Sequence, residues 1–288
     1  MLTGAGSGRT DWIAEVGEGD DEGFFGPESA PWAVHGDMPT LVAGVRALLM
    51  QTLHPGAMAG VHDWSRYKSD PLGRLTGTIR WIVATTFGST AQADHESARV
   101  SHFHDRVQGE YSPSSGAAQA YSAHDPELLR WVHLAFTEAF LGCQETWGRP
   151  IPGGADAYVR EWATAGHLVG AADLPISRAE LRAQLDDFRT RGVLRRDQRV
   201  DDAVGFIRDA PLPGMALPYR VLFAGAVASI PVEYRRLLGL RRAWWPAITL
   251  TRALLWVVGA ILAGSSEPSA RVLGERRVAR LRAATLEK

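Results

Sequence analysis

From Pro39 onward, apolar residues recur at three- and four-residue steps. Leu41, Val42, Val45, Leu48, Leu49 and Leu53 form one stripe, the repeat of an amphipathic helix. His54-Pro55-Gly56 closes it, because a proline pushes the residue before it out of helical geometry. The same pattern predicts helices over Pro71–Phe87, 90–108, Pro126–Trp147, 155–169 and 177–188. Two of these starts carry a capping mechanism. Asp125 stands as N-cap with Pro126 in the first helical position, and Ser177 with Glu180 forms a capping box. No stretch shows the period-two alternation of strands, and no Asn-Gly or Asp-Gly turn separates apolar runs. Beyond Leu212 the chain is a proline-punctuated set of apolar segments. The expected architecture is all-α. Residues 1–30, rich in Gly, Asp and Glu, read as a flexible arm. Residues 31–288 read as one helical domain, with C-terminal helices over 212–286 packing on the rest.

Composition narrows the partners. A net charge of -1 over 288 residues leaves no electrostatic footprint for nucleic acid. Cys143 is the only cysteine, so an intrachain disulfide and a cysteine-rich zinc site are both excluded. With no basic start followed by an apolar block, the chain lacks the pattern of a secretory signal, and a cytoplasmic location is expected. The most membrane-like stretch, "AWWPAITLTRALLWVVGAILAG" over 243–264, is broken by Arg252. Its charge-free part is too short to cross a bilayer comfortably. A buried core helix is the plain reading. An interfacial anchor is the sharper one, favoured by Trp244 and Trp245 beside Arg241 and Arg242.

The candidate chemistry centres on "SHFHDRV". Residues two apart on a helix point roughly 200° away from each other, so His102 and His104 cannot share a face. His104 lines up with Ser97, Val100 and Val107, with Phe103 beside that stripe. His102 lines up with His95, Arg99, Asp105 and Arg106. Amphipathic logic turns His104 inward and leaves His102 at the rim. A buried histidine is either satisfied by a carbonyl or carboxylate, or bound to a metal. One imidazole beside small and apolar residues suits the axial position of a haem. Upstream, Arg74 and Thr78 share a helical face with Trp81 and Thr85. The pair could hold a carboxylate or steady dioxygen at iron, or Arg74 could simply pair with Asp70. His124 precedes the Asp125 cap and would brace the turn, while His133 follows Leu129 and Arg130.

The blocks "LLMQTLHPGAMAGVHDWSRYKSDPLGRLTGTIRW", "HFHDRVQG" and "YSAHDPELLRWVHLAF" occur in this order. Together they resemble the MpaB and rubber-oxygenase (latex clearing protein) family, over a core of about residues 32–185. The resemblance implies a helical, distantly globin-like fold enclosing a b-type haem. It also implies an oxidoreductase that uses dioxygen on a hydrophobic small molecule, cleaving carbon–carbon double bonds of isoprenoid chains in characterised relatives. It makes His104 the iron ligand and Arg74 and Thr78 pocket residues with catalytic roles, and it sets Val100, Phe103 and Val107 along the cofactor. His54, Asp70, His124 and Asp125 match positions of supporting type. Rubber oxygenases carry a lysine just before the threonine; here Gly77 stands there, which leaves the distal side of the iron open to another occupant. Other readings stay available: a haem carrier or sensor, a haem dehydrogenase or peroxidase, or a non-haem metal or hydrolytic site using His54, His104, His124 or His133 with Asp125. No Gly-x-Ser-x-Gly or His-Glu-x-x-His motif supports the hydrolase version.

Overall fold

The computed structural model describes residues 11–64, 71–111, 118–212, 214–241 and 246–287, without the side chains of residues 11, 71, 72 and 74. Asp70, Arg242, Trp244, Trp245 and the side chain of Arg74 therefore lie outside the described residues. The elements run α1 (Asp11–Ala14), α2 (Ala30–His35), α3 (Thr40–Gln51), α4 (Pro55–Trp64), α5 (Pro71–Phe87) and α6 (Thr90–His104). A short hairpin follows, β1 (Gln108–Tyr111) and β2 (Gln119–Ser122). The rest is helical again: α7 (Pro126–Trp147), α8 (Gly154–Leu168), α9 (Arg178–Thr190), α10 (Gln198–Arg208), α11 (Ala216–Ser229), α12 (Val232–Leu237), α13 (Ala247–Ala263) and α14 (Ala270–Leu286). The chain is mostly helical, as the periodicity predicts.

The central spine is the antiparallel pair α3 and α7. Trp131 Nε1 donates to the Gln51 carbonyl at 3.1 Å. One end further along, Arg46 donates to Glu138. Both Arg46 and Glu138 sit inside the protein, and Gly142 makes room for the guanidinium: a Cβ there would fall well within contact of it. Burial pushes the Glu138 carboxyl up, and Arg46 opposes that shift. Trp32, Leu49, Met50, Leu53, Trp131, Leu134 and Tyr158 fill the surrounding core at 0% exposure. The α5 and α6 helices form a second antiparallel pair. Ser89 caps α6 by accepting from Gln92 N.

The caps behave as read from the sequence, with one shift. Asp125 accepts from Glu127 N at 2.8 Å, and Ser177 accepts from Glu180 N at 3.2 Å. The Glu180 carboxylate reaches past the cap to the Ile176 N–H at 3.0 Å, so the box closes one residue early.

Three expectations need correction. The helix expected over 90–108 stops at His104, and the hairpin takes Gln108 onward, pairing Gln108 with Ser122 and Tyr111 with Gln119. Its strands are only four residues each and half polar, so period-two alternation has no length in which to show. Residues 11–30 are not a loose arm. Val16, Phe25 and Ala30 are buried, and Arg277 of α14, itself fully buried, donates to the carbonyls of Val16, Asp21 and Glu22. Finally, α13 is not a buried core helix, since Trp256 is 75% exposed and Ile261 67%. No helix among the described residues is long and apolar enough to cross a membrane.

Candidate functional site

Helices α4 to α8 enclose a cavity of about 560 Å³, within the roughly 300–1,000 Å³ of small-molecule and cofactor pockets. Helix α4 contributes Gly56, Ala57 and Gly60, and α5 contributes Gly77, Thr78 and Trp81. Val100, Phe103 and His104 come from α6, Leu129, Val132, His133 and Phe136 from α7, and Trp162 and Gly166 from α8. Val107 closes one side. The antiparallel α5–α6 pair explains how two sequence-distant motifs meet: Trp81 Nε1 donates to Ser97 Oγ at 3.1 Å, which fixes their register. Thr78, Val100, Phe103, His104 and Val107, the expected site residues with described side chains, line the same cavity. Thr85, continuing the face of Thr78, is fully buried.

His104 is turned inward but only half-buried, because it borders open space rather than packed side chains. Its Nδ1 is enclosed with no hydrogen-bond partner among the described residues. Burial lowers its pKa, and nearby His124 adds to the effect; the neutral imidazole is the form that offers a lone pair to a metal. His102, as expected, is at the rim, its Nδ1 3.3 Å from Asp105. His124 holds the other oxygen of Asp105 at 2.8 Å, and its ring lies 5.9 Å from that of His104. His124 thus braces the α6 end. Phe103 lines the cavity while 47% exposed, so it stands at the mouth instead of in the interior beside the stripe.

Two cavity residues carry weight that the sequence pattern did not give them. His133 is buried, its Nε2 lacks a partner among the described residues, and burial pushes its pKa down to about 3. Gly166 of α8 permits this position, because a Cβ there would meet His133 Nδ1 at 2.7 Å. Arg99, assigned to the polar stripe, also lines the cavity. Its Nε donates to Glu96 at 2.7 Å and its Nη2 to the Gly77 carbonyl at 3.0 Å. Glu96 is 1% exposed and receives Arg80 as well, at 2.8 Å. The buried carboxylate between two guanidiniums holds Arg99, itself exposed, at the rim of the cavity. A Cβ at Gly77 would find only Arg99 Nη1, at 3.8 Å, so that wall is open.

The remaining histidines separate into structural roles. His35 is hydrogen-bonded at both nitrogens, to Thr86 Oγ1 at 2.8 Å and Tyr158 Oη at 2.9 Å, which makes it a satisfied core residue. His54 accepts from Gly56 N at 3.2 Å and lies 3.7 Å from Glu127, at the junction of α4 and α7. Among the described residues no group of three or more His, Cys, Asp or Glu is arranged to hold a metal ion.

Residues 32–261 match the family described as ER-bound oxygenase mpaB/B′/rubber oxygenase, catalytic domain. The chain belongs to this family. The match extends beyond the expected core of 32–185 to include α9 to α13, so all the helices around the cavity and most of the C-terminal set fall within the oxygenase domain. No curated protein and no solved structure matched the chain.

Proposed function

We propose that the protein is a haem b-dependent oxygenase that uses dioxygen on a hydrophobic small molecule, with oxidative cleavage of a carbon–carbon double bond in an isoprenoid-like chain as the reaction to test first. The observation that carries this reading is one largely apolar cavity lined by two neutral imidazoles, His104 and His133, each with a buried nitrogen lacking a described partner. The helical frame would then enclose haem as a distant relative of the globins.

The residues present fit the group. Trp81, Val132, Phe136 and Trp162 offer apolar walls, and glycines at 56, 60, 77 and 166 keep parts of the lining bare. His104 would hold the iron, and His133 offers a second imidazole in the same space. Arg99, tethered by Glu96 and the Gly77 carbonyl, offers a fixed cation for a propionate. Thr78 lines the same cavity, and the family resemblance assigns Arg74 a supporting role there. When bound, haem supplies a redox-active iron at which dioxygen is activated, which is chemistry the side chains lack. The chain's own contribution is ligation, exclusion of water by the aromatic walls, and orientation of an apolar substrate that has little to hydrogen-bond.

The test is twofold. His104→Ala should lower haem content, measured as the pyridine haemochrome, at least tenfold while circular dichroism stays helical. With a candidate isoprenoid, wild-type protein should incorporate label from ¹⁸O₂ into carbonyl products. Full haem content in the variant would remove His104 as ligand. Substrate turnover without label would redirect the assignment to dehydrogenase or peroxidase chemistry.

A further inference from the structure

Helix α13 packs on α11 through Ala247, Thr251 and Leu255, one inward residue per turn. Thr251 Oγ1 donates to the Val221 carbonyl at 3.2 Å, and Gly225 leaves space for the Thr251 side chain. The opposite half of the helix is uncovered. Leu250 is 43% exposed, Trp256 75%, Val257 44%, Ile261 67% and Leu262 55%. Only Thr249 and Arg252 among the exposed α13 residues are polar. Leu217, 74% exposed, adds to the uncovered apolar surface from α11.

Charge accompanies this face. Between Ala210 and Ser266 six arginines stand against one acid, Glu233, in a chain whose net charge is -1. The region is therefore cationic while the rest of the protein is acidic. Arg220, Arg236, Arg241 and Arg252 are exposed, and Arg235 and Arg236 line a shallow recess with Val232 and Leu240.

A second copy of the chain is a poor occupant. Seventeen residues at 1.5 Å rise give a strip about 25 Å long and about 10 Å wide, or about 250 Å². A stable interface needs roughly 800 Å² from each partner. A single apolar helix face of that size, carrying Arg252 and Trp256, matches a helix lying in the boundary of a bilayer. Arginine stems lie along apolar surface while their heads reach phosphates. We infer that the outer face of α13, which carries Arg252 and belongs to a stretch of chain with five further arginines, docks the protein on an anionic lipid surface.

The full-length protein is to be sedimented with vesicles of phosphatidylcholine alone and of phosphatidylcholine mixed with phosphatidylglycerol. Binding to the mixed vesicles is expected to exceed binding to the neutral ones at least tenfold and to fall as salt is raised. The double variant W256E/I261E changes only exposed positions and should melt as wild type while binding at least tenfold more weakly. Charge reversal at Arg235 and Arg236 should weaken binding to the mixed vesicles only. Failure of the wild type to sediment with mixed vesicles would overturn the inference. So would unchanged binding by W256E/I261E, equal binding to neutral vesicles, or a wild-type dimer in sedimentation velocity that the double variant abolishes.

Discussion

Two apolar surfaces of this protein face opposite ways. The cavity walls turn Trp81, Val132 and Phe136 inward around a few polar atoms that lack partners. Helix α13 turns Trp256, Val257 and Ile261 outward among arginines. Each departs from the usual arrangement, in which apolar atoms pack against one another and buried polar atoms are paired. Unpaired polar atoms inside a space point to something small that enters it. Apolar atoms outside a fold point to something large that covers it. Two arginines differ in the same sense: Arg46 in the α3–α7 spine is 2% exposed and paired with Glu138, while Arg252 of α13 is exposed and donates to the Thr146 carbonyl.

The sharpest way to break the contrast is at those arginines. Arg46→Leu strands Glu138 in the α3–α7 spine and should cost about 3–5 kcal/mol in urea unfolding. Arg252→Leu should fall within about 0.5 kcal/mol of wild type. Comparable losses would mean that Arg46 does not carry a buried pair. Next in size, Leu134→Ala, at a position with no exposure, should cost about 2–5 kcal/mol. Trp256→Ala removes a larger side chain yet should again stay within about 0.5 kcal/mol. A large loss at Trp256 would show that α13 is covered in solution.

Acid separates the interior further. Burial drops the pKa values of His35 and His133 to about 3 and that of His54 to about 4. The unfolded chain binds protons below about pH 6.5 that the folded chain refuses. Stability is therefore full above that pH and lost as pH falls towards the folded-state values, at up to about 1.4 kcal/mol per pH unit for each histidine. His133→Gln should flatten the slope measured by thermal unfolding between pH 6.5 and 4.

Much of this frame is legible in the sequence because helices announce themselves locally. The Leu41–Leu53 stripe sets α3, the Asp125-Pro126 cap sets the start of α7, and the bounds of α5 match those read from periodicity. What stayed hidden depends on distant partners. Arg99 is exposed, as its stripe predicts, but its tether to the buried Glu96 and its place at the cavity do not show in the spacing. Residues 11–30 read as loose because their anchor, Arg277, stands more than 250 positions away. The inward turn of His104 followed from helix geometry, but its border on a cavity and the convergence of His133 required helix packing that no spacing rule contains. Likewise, the apolar pattern of α13 has a face, and only the structure says that nothing among the described residues covers most of it.

The smallest structural change expected among these variants is Gly77→Ala, since a Cβ there meets only Arg99 Nη1 at 3.8 Å. It should fold with wild-type stability and report on the cavity alone. A shift in the visible spectrum of the haem-loaded protein without a shift in melting temperature would put the cofactor beside Gly77. An unchanged spectrum would move it elsewhere.

The central claim is that the α4–α8 cavity holds haem on His104. The most direct measurement is the absorption spectrum of protein produced with adequate iron, recorded as purified, after dithionite, and after carbon monoxide. The account requires a Soret band that shifts on reduction, shifts again with carbon monoxide, and is lost in His104→Ala. A fully folded, iron-replete wild type with no Soret band would contradict it.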